Sequence, residues 1–127
     1  MLSESELIDL VENKYFANVD NKNCELVVKC FTETATLSVQ TAHVSHSGHE
    51  QINRMFTDFM TNTEVIYHGE FTHIIDVPNQ SIASQFLAKN LYKDGSKISM
   101  RNCNHFKIKD GLFSEVTVYM SGANPLV

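Results

Sequence analysis

No stretch of the 127 residues stays apolar over anything near the roughly 18 positions that a membrane-crossing helix needs. The opening Met1-Leu2-Ser3-Glu4-Ser5-Glu6 is acidic and lacks the basic start and apolar run of a secretory leader, so a cytoplasmic protein is expected. Cysteine is scarce and odd in number. Cys24, Cys30 and Cys103 form no two-residue spacing of the zinc or thioredoxin kind, which leaves structural thiols as the expectation. Basic residues are in the minority, ten against fifteen acidic, for a net charge of −5, and they do not cluster. Such a chain repels phosphate backbones and anionic lipid, so neither nucleic acid nor membrane is expected as a partner. Glycine-rich phosphate loops and the Gly-x-Ser-x-Gly nucleophile elbow are both missing. Nothing repeats and no linker interrupts the chain. Residues 1–127 are therefore expected to form one domain, and with 43% hydrophobic residues it has enough to fill a core.

What is present is strong strand punctuation between Glu64 and Met120. Val77-Pro78-Asn79-Gln80, Lys93-Asp94-Gly95-Ser96 and Lys109-Asp110-Gly111-Leu112 separate four runs rich in Ile, Val, Phe, Tyr and Thr, and two of the breaks carry Asp-Gly. That pattern predicts a four-strand antiparallel meander. Before it, Ser3 and Glu6 have capping-box spacing, and Leu7, Val11, Tyr15 and Val19 follow as the inward stripe of a first helix. Asn23 is placed to cap a second helix carrying Cys24, Val27, Val28 and Phe31, and Ala35–Gln40 suits a strand. Ser47 and Glu50 repeat the capping-box spacing. Ile52, Met55, Phe56, Phe59 and Met60 then mark the buried face of a third helix.

Alternation in the third meander strand puts Ile98, Met100, Asn102, Asn104, Phe106 and Ile108 on one face, with His105 opposite. In the first meander strand it groups His68 with Glu64, Ile66, Glu70 and Thr72, opposite the more apolar Val65, Tyr67, Phe71 and Ile75. Histidine is the natural proton carrier near neutrality, and His68 is the leading candidate, with Glu70 placed to orient its ring. His43, His46 and His49 are spaced by three across the approach to the third helix. Imidazoles suit transition metals, but no helix is predicted before Ser47 to align these rings, so loop polarity is the expectation, without a bound metal.

The order of elements resembles the nuclear transport factor 2-like superfamily, which contains ketosteroid isomerases, scytalone dehydratase and SnoaL-like polyketide cyclases. Cys30-Phe31-Thr32-Glu33-Thr34-Ala35-Thr36-Leu37 is similar to that family's passage from second helix to first strand. Ser47-Gly48-His49-Glu50-Gln51-Ile52 resembles the start of its third helix, and Asn104-His105-Phe106-Lys107-Ile108-Lys109-Asp110-Gly111 its penultimate strand and hairpin. The resemblance implies an α+β nuclear transport factor 2-like cone. Three N-terminal helices would pack on a curved sheet, mixed but mostly antiparallel, that ends in the four-strand meander. It also implies a homodimer formed across the sheet and an apolar cavity.

In ketosteroid isomerases a tyrosine on the first helix and a carboxylic acid on the penultimate strand hold an enolate oxygen. Tyr15 falls at the tyrosine's place and Asn104 at the acid's. The base, an aspartate at the end of the first strand, is replaced here by Val39, so steroid isomerisation by that route is not expected. Tyr67-His68 resembles the place of a pocket histidine in scytalone dehydratase. The catalytic candidates are therefore His68, Tyr15 and Asn104. Phe56, Phe59, Phe86, Met100, Asn102 and Val118 are the expected further lining of a site for a small apolar molecule. Two functions follow: a cofactor-independent isomerase, cyclase or dehydratase acting on an apolar ketone or enol, and a non-catalytic homodimer that binds a ligand or protein segment.

Overall fold

The first helix, α1, runs over residues 4–20 in the computed structural model, which describes Met1–Val127. Ser3 and Glu6 form the predicted capping box at its start. Its middle, Leu10–Phe16, is π-helical, with Ala17 N–H donating to Glu12 C=O. The reason lies in the spacing of the stripe. Four residues exceed the 3.6 of an α-helical turn, so three such steps would swing Val19 about 120° away from Leu7 on a straight α-helix. Wider i→i+5 bonding absorbs that drift. Leu7, Val11, Tyr15 and Val19 all stay buried, and Leu10 and Phe16 join them.

Helix α2 is short, Cys24–Val28, and Asn23 makes no side-chain cap there, contrary to expectation. Strand β1 covers Phe31–Val39, beginning four residues before the expected Ala35 because Phe31 already pairs with Phe113. The next strand, β2 (Val44–Ser47), was not expected at all; it pairs antiparallel with β1, so two of the three spaced histidines flank a strand and His46 lies in it. Helix α3 follows as Gly48–Asn62. Ser47 makes no side-chain cap; its N–H instead donates to Gln51 Oε1 at 2.8 Å, so Gln51 replaces the expected Glu50. The predicted stripe of Ile52, Met55, Phe56, Phe59 and Met60 is buried, each side chain contributing about 1.5–3 kcal/mol.

The meander is β3 (Thr63–Asp76), β4 (Ser81–Tyr92), β5 (Lys97–Lys109) and β6 (Leu112–Tyr119). All six strands form one sheet in the order β2-β1-β6-β5-β4-β3, and only β1 with β6 runs parallel. A bulge interrupts β3 between Gly69 and Thr72, with Glu70 at φ +53°. An extra residue there reverses the alternation. Ile66 and His68 therefore face inward before the bulge and Phe71, His73 and Ile75 after it, whereas Val65 and Tyr67, expected on the apolar face, stand 52% and 44% exposed.

Helices α1 and α3 cover the inner sheet face around an aromatic centre. Tyr15 meets Phe31, Phe56, Phe106 and Phe113 edge to face, with ring centroids 5.3–6.1 Å apart. Phe16 sits on Phe86 and Phe71 at 4.7 and 5.2 Å. No helix is long and apolar enough to cross a membrane.

Candidate functional site

Strand alternation and the α1 stripe converge on one small cavity between helices and sheet. Tyr15 reaches it from α1, Phe56 and Phe59 from α3, and Phe86 from β4. Met100, Asn102 and Asn104 line it from β5, Val118 from β6 and His68 from β3. The structure thus brings all nine candidate residues to the same space. Sequence reasoning missed Phe16, Val19, Ala88 and Asn90 in the wall, and Met120, Pro125 and Leu126 from the stretch after β6. The free volume is about 30 Å³, room for about one water molecule. A wider depression of about 460 Å³ beside Glu70, Arg101, Cys103 and Tyr119 shares Phe86, Asn102 and Met120 with it, but the candidates His68 and Tyr15 line only the small cavity.

His68 is held there by a residue that the sequence pattern did not single out. Asp20, at the end of α1, accepts from His68 Nδ1 at 2.5 Å through Oδ1 and from the His68 backbone N–H at 2.9 Å through Oδ2. Glu70, the expected orienting group, is turned outward by the bulge and pairs with Arg101 at 2.9 Å. The ring is stacked obliquely on Phe16, with centroids 4.7 Å apart, and approached by Phe86 at 5.6 Å. Only 11% of the His68 side chain is exposed. Because a carboxylate only accepts, Nδ1 carries the proton of the neutral ring and Nε2, which has no partner in the protein, keeps its lone pair.

Facing groups in the cavity can donate. Burial, and secondarily the nearby Cys30, pushes the Tyr15 phenol far above its ordinary range, so it stays a protonated donor. Asn104 is buried, and its Oδ1 finds no partner in the protein, as is also true of Asn90 Oδ1. An unpaired buried amide oxygen costs about 1–3 kcal/mol, and because it accepts, only a guest that donates, such as a hydroxyl or an enol, removes that cost; the amide NH₂ is the group that can donate. Val39 is fully buried at the end of β1, so no carboxylate stands at that end.

A second histidine relay was also missed. His73 Nε2 lies 2.5 Å from Glu12 Oε2, and its Nδ1 2.7 Å from Ser84 Oγ. Ser84 is fully buried and none of the three lines the cavity, so this chain of groups ties α1 to β3 and β4 outside it. The three spaced histidines have different surroundings: His43 sits in a left-handed turn, His46 bonds Leu126 C=O, and His49 bonds Phe31 C=O. No three metal-ligating side chains gather anywhere.

Comparison with known proteins agrees with this architecture. Among curated proteins no relative matches. Solved structures do: the epoxide hydrolase/cyclase-like enzyme SalBIII, of pyran ring formation in the polyether salinomycin, superposes with a TM-score of 0.79 at 20% identity, covering 95% of each chain. A Bacillus subtilis protein provisionally assigned as an isomerase gives 0.84 at 12% identity over 95% of this chain and 90% of its own. A Xanthomonas campestris protein provisionally assigned as a polyketide cyclase gives 0.80 at 11% identity over 91% and 90%. At such identities the likeness is one of fold. The profile of the SnoaL-like domain matches residues 13–116, from the π-helical turn that carries Tyr15 into β6, and the chain belongs to that family.

Proposed function

We propose that the protein is a cofactor-independent proton-transfer enzyme, an isomerase, cyclase or dehydratase acting on a small apolar ketone or enol. The observation that carries this reading is the His68–Asp20 pair at the wall of a cavity that Tyr15 and Asn104 also line. His68 Nε2 takes a proton from the carbon beside the carbonyl, and Asp20 stabilises the imidazolium that forms. Tyr15 O–H and the Asn104 amide donate to the oxygen on which negative charge develops. Returning the proton from the imidazolium to another carbon gives isomerisation; handing it to a hydroxyl on the β-carbon, which leaves as water while the enolate re-forms the carbonyl with a new double bond, gives dehydration. The apolar walls of Phe56, Phe59, Phe86, Met100 and Val118 exclude water, with Asn102 beside them. Membership of a family with neighbours named for cyclase and isomerase chemistry supports the same class.

The probe is 2-tetralone, whose α-protons are exchanged for deuterium when a base and an oxyanion site act together. Proton NMR in D₂O should show protein-catalysed loss of the α-signal; exchange no faster than with buffer would leave the non-catalytic ligand-binding dimer as the reading.

The same proposal includes a homodimer. Val65, Tyr67 and Tyr119 stand on the outer sheet face, 52%, 44% and 48% exposed, where a second sheet would cover them. Light scattering at micromolar concentration should return about twice the chain mass of 14.4 kDa, and a clean monomer would sink the dimer.

A further inference from the structure

The stretch after β6 joins no helix or strand and lines the cavity through Met120, Pro125 and Leu126. It is fastened by side chains at both ends. At the near end Ser121 N–H donates to Asn102 Oδ1 at 3.1 Å, and Ser121 Oγ accepts from Arg101 N–H at 3.1 Å. Gly122 lies directly on Met100: a Cβ there would stand 3.0 Å from Sδ, so the backbone itself makes the seal. At the far end Pro125 and Leu126 form part of the cavity wall, with Leu126 only 8% exposed.

His46 latches this far end. Arg54 Nη2 faces His46 Nδ1 at 3.4 Å, and since a guanidinium only donates, Nδ1 must accept. His46 Nε2 therefore carries the proton and donates to Leu126 C=O at 3.2 Å. Arg54 also donates to Val127 C=O at 3.3 Å. Asn124 folds the segment on itself, accepting from Leu126 N–H at 2.8 Å and donating to Leu126 C=O at 3.1 Å. His46 is 4% exposed, and nothing in the proton-transfer chemistry uses it.

A cavity of about 30 Å³ cannot take a ketone of the size argued above, because ligand pockets run to roughly 300–1,000 Å³. Something has to leave. The helices and sheet are locked by the aromatic centre, whereas this strap rests on a handful of side-chain hydrogen bonds and has no ladder, so it belongs to the low-stability end of the molecule. We infer that residues 120–127 are a gate latched by His46 and Arg54, and that Leu126 occupies space in the closed cavity that the apolar end of the ligand takes when the strap swings out. The inference rests on the reading that the cavity receives an apolar ligand, and not on catalysis. It makes Leu126 a determinant of ligand size and His46 a positioning residue for the gate.

The latch and the plug can be weakened separately in the full chain, with 2-naphthol as the fluorescent probe. A gate that is closed most of the time lowers apparent affinity by the fraction of time it is open. His46→Ala and Leu126→Ala should each bind 2-naphthol about tenfold more tightly than the native chain. In His46→Ala the Leu126 amide should also exchange hydrogen about tenfold faster. His46→Gln, whose amide still donates toward Leu126 C=O, should stay near the native values in both. Faster exchange in His46→Ala with unchanged naphthol affinity would overturn the gate, as would His46→Gln behaving like His46→Ala. Failure of the proton-transfer reading looks different. If the opened variants bind naphthol more tightly while no form exchanges the α-protons of 2-tetralone, the gate stands and the chemistry falls. If the native chain exchanges them and neither variant changes naphthol affinity, the chemistry stands and the gate falls.

Discussion

Replacing His68 by alanine should lower the rate of α-proton exchange from 2-tetralone by at least about 100-fold, the low end of what a positioned general base supplies. The substitution isolates chemistry from folding because of how Asp20 grips the strand. One of its oxygens holds the His68 backbone N–H at 2.9 Å, a contact that alanine keeps, so the end of α1 stays clamped to β3 when the ring is gone. Asp20→Asn should do less damage than losing the ring. Its amide oxygen still accepts from Nδ1–H, but its NH₂ cannot accept from the His68 backbone N–H and the charge that stabilises the imidazolium is gone. Tyr15→Phe removes one oxyanion donor and leaves the base, so its loss should come in the slow chemical step, with naphthol affinity reduced less. NMR rates for the three variants beside the native chain test this order. A His68→Ala protein that exchanges as fast as the native one would remove His68 from the mechanism.

The largest stability effect is expected at Phe106. Its ring is fully buried on β5, with centroids 4.7 Å from Phe113, 5.8 Å from Tyr15 and 6.2 Å from Phe16. Those partners come from α1 and β6, so truncation to alanine loosens the helix-to-sheet contact and the sheet itself at one point. Phe→Ala in a core costs about 3–5 kcal/mol, out of the 5–15 kcal/mol that holds a typical domain together. Urea unfolding should show the midpoint falling while the slope stays constant. A loss under about 1 kcal/mol would mean that the aromatic centre collapses around the gap and is less rigid than its close packing implies.

Local signals carried the fold far. Ser3 with Glu6, the Asp-Gly turns, the α3 stripe and the parity of β5 are each decided within a few residues, and the structure realises them. The larger departures trace to contact between distant parts of the chain. β2 is only four residues long and exists because β1 offers it an edge. The bulge at Glu70 reverses the faces of β3, so alternation read straight through Val65–Ile75 put Val65 and Tyr67 on the wrong side. Asp20 was not singled out, because its role depends on His68, 48 positions away. The strap depends on His46, 80 positions from Leu126. One sign of the first was readable: an inward histidine in a largely apolar wall requires a partner, and the end of α1 carries a free carboxylate.

The proposed role of His68, a base oriented by Asp20, is tested most directly by the tautomer of the His68 ring. Nitrogen-15 NMR of the native chain, with His68→Ala to assign the signals, reports which ring nitrogen carries the proton when the ring is neutral. The geometry predicts a single tautomer, protonated at Nδ1 toward Asp20 and bare at Nε2. A ring protonated at Nε2, or one averaging between both tautomers, would contradict it.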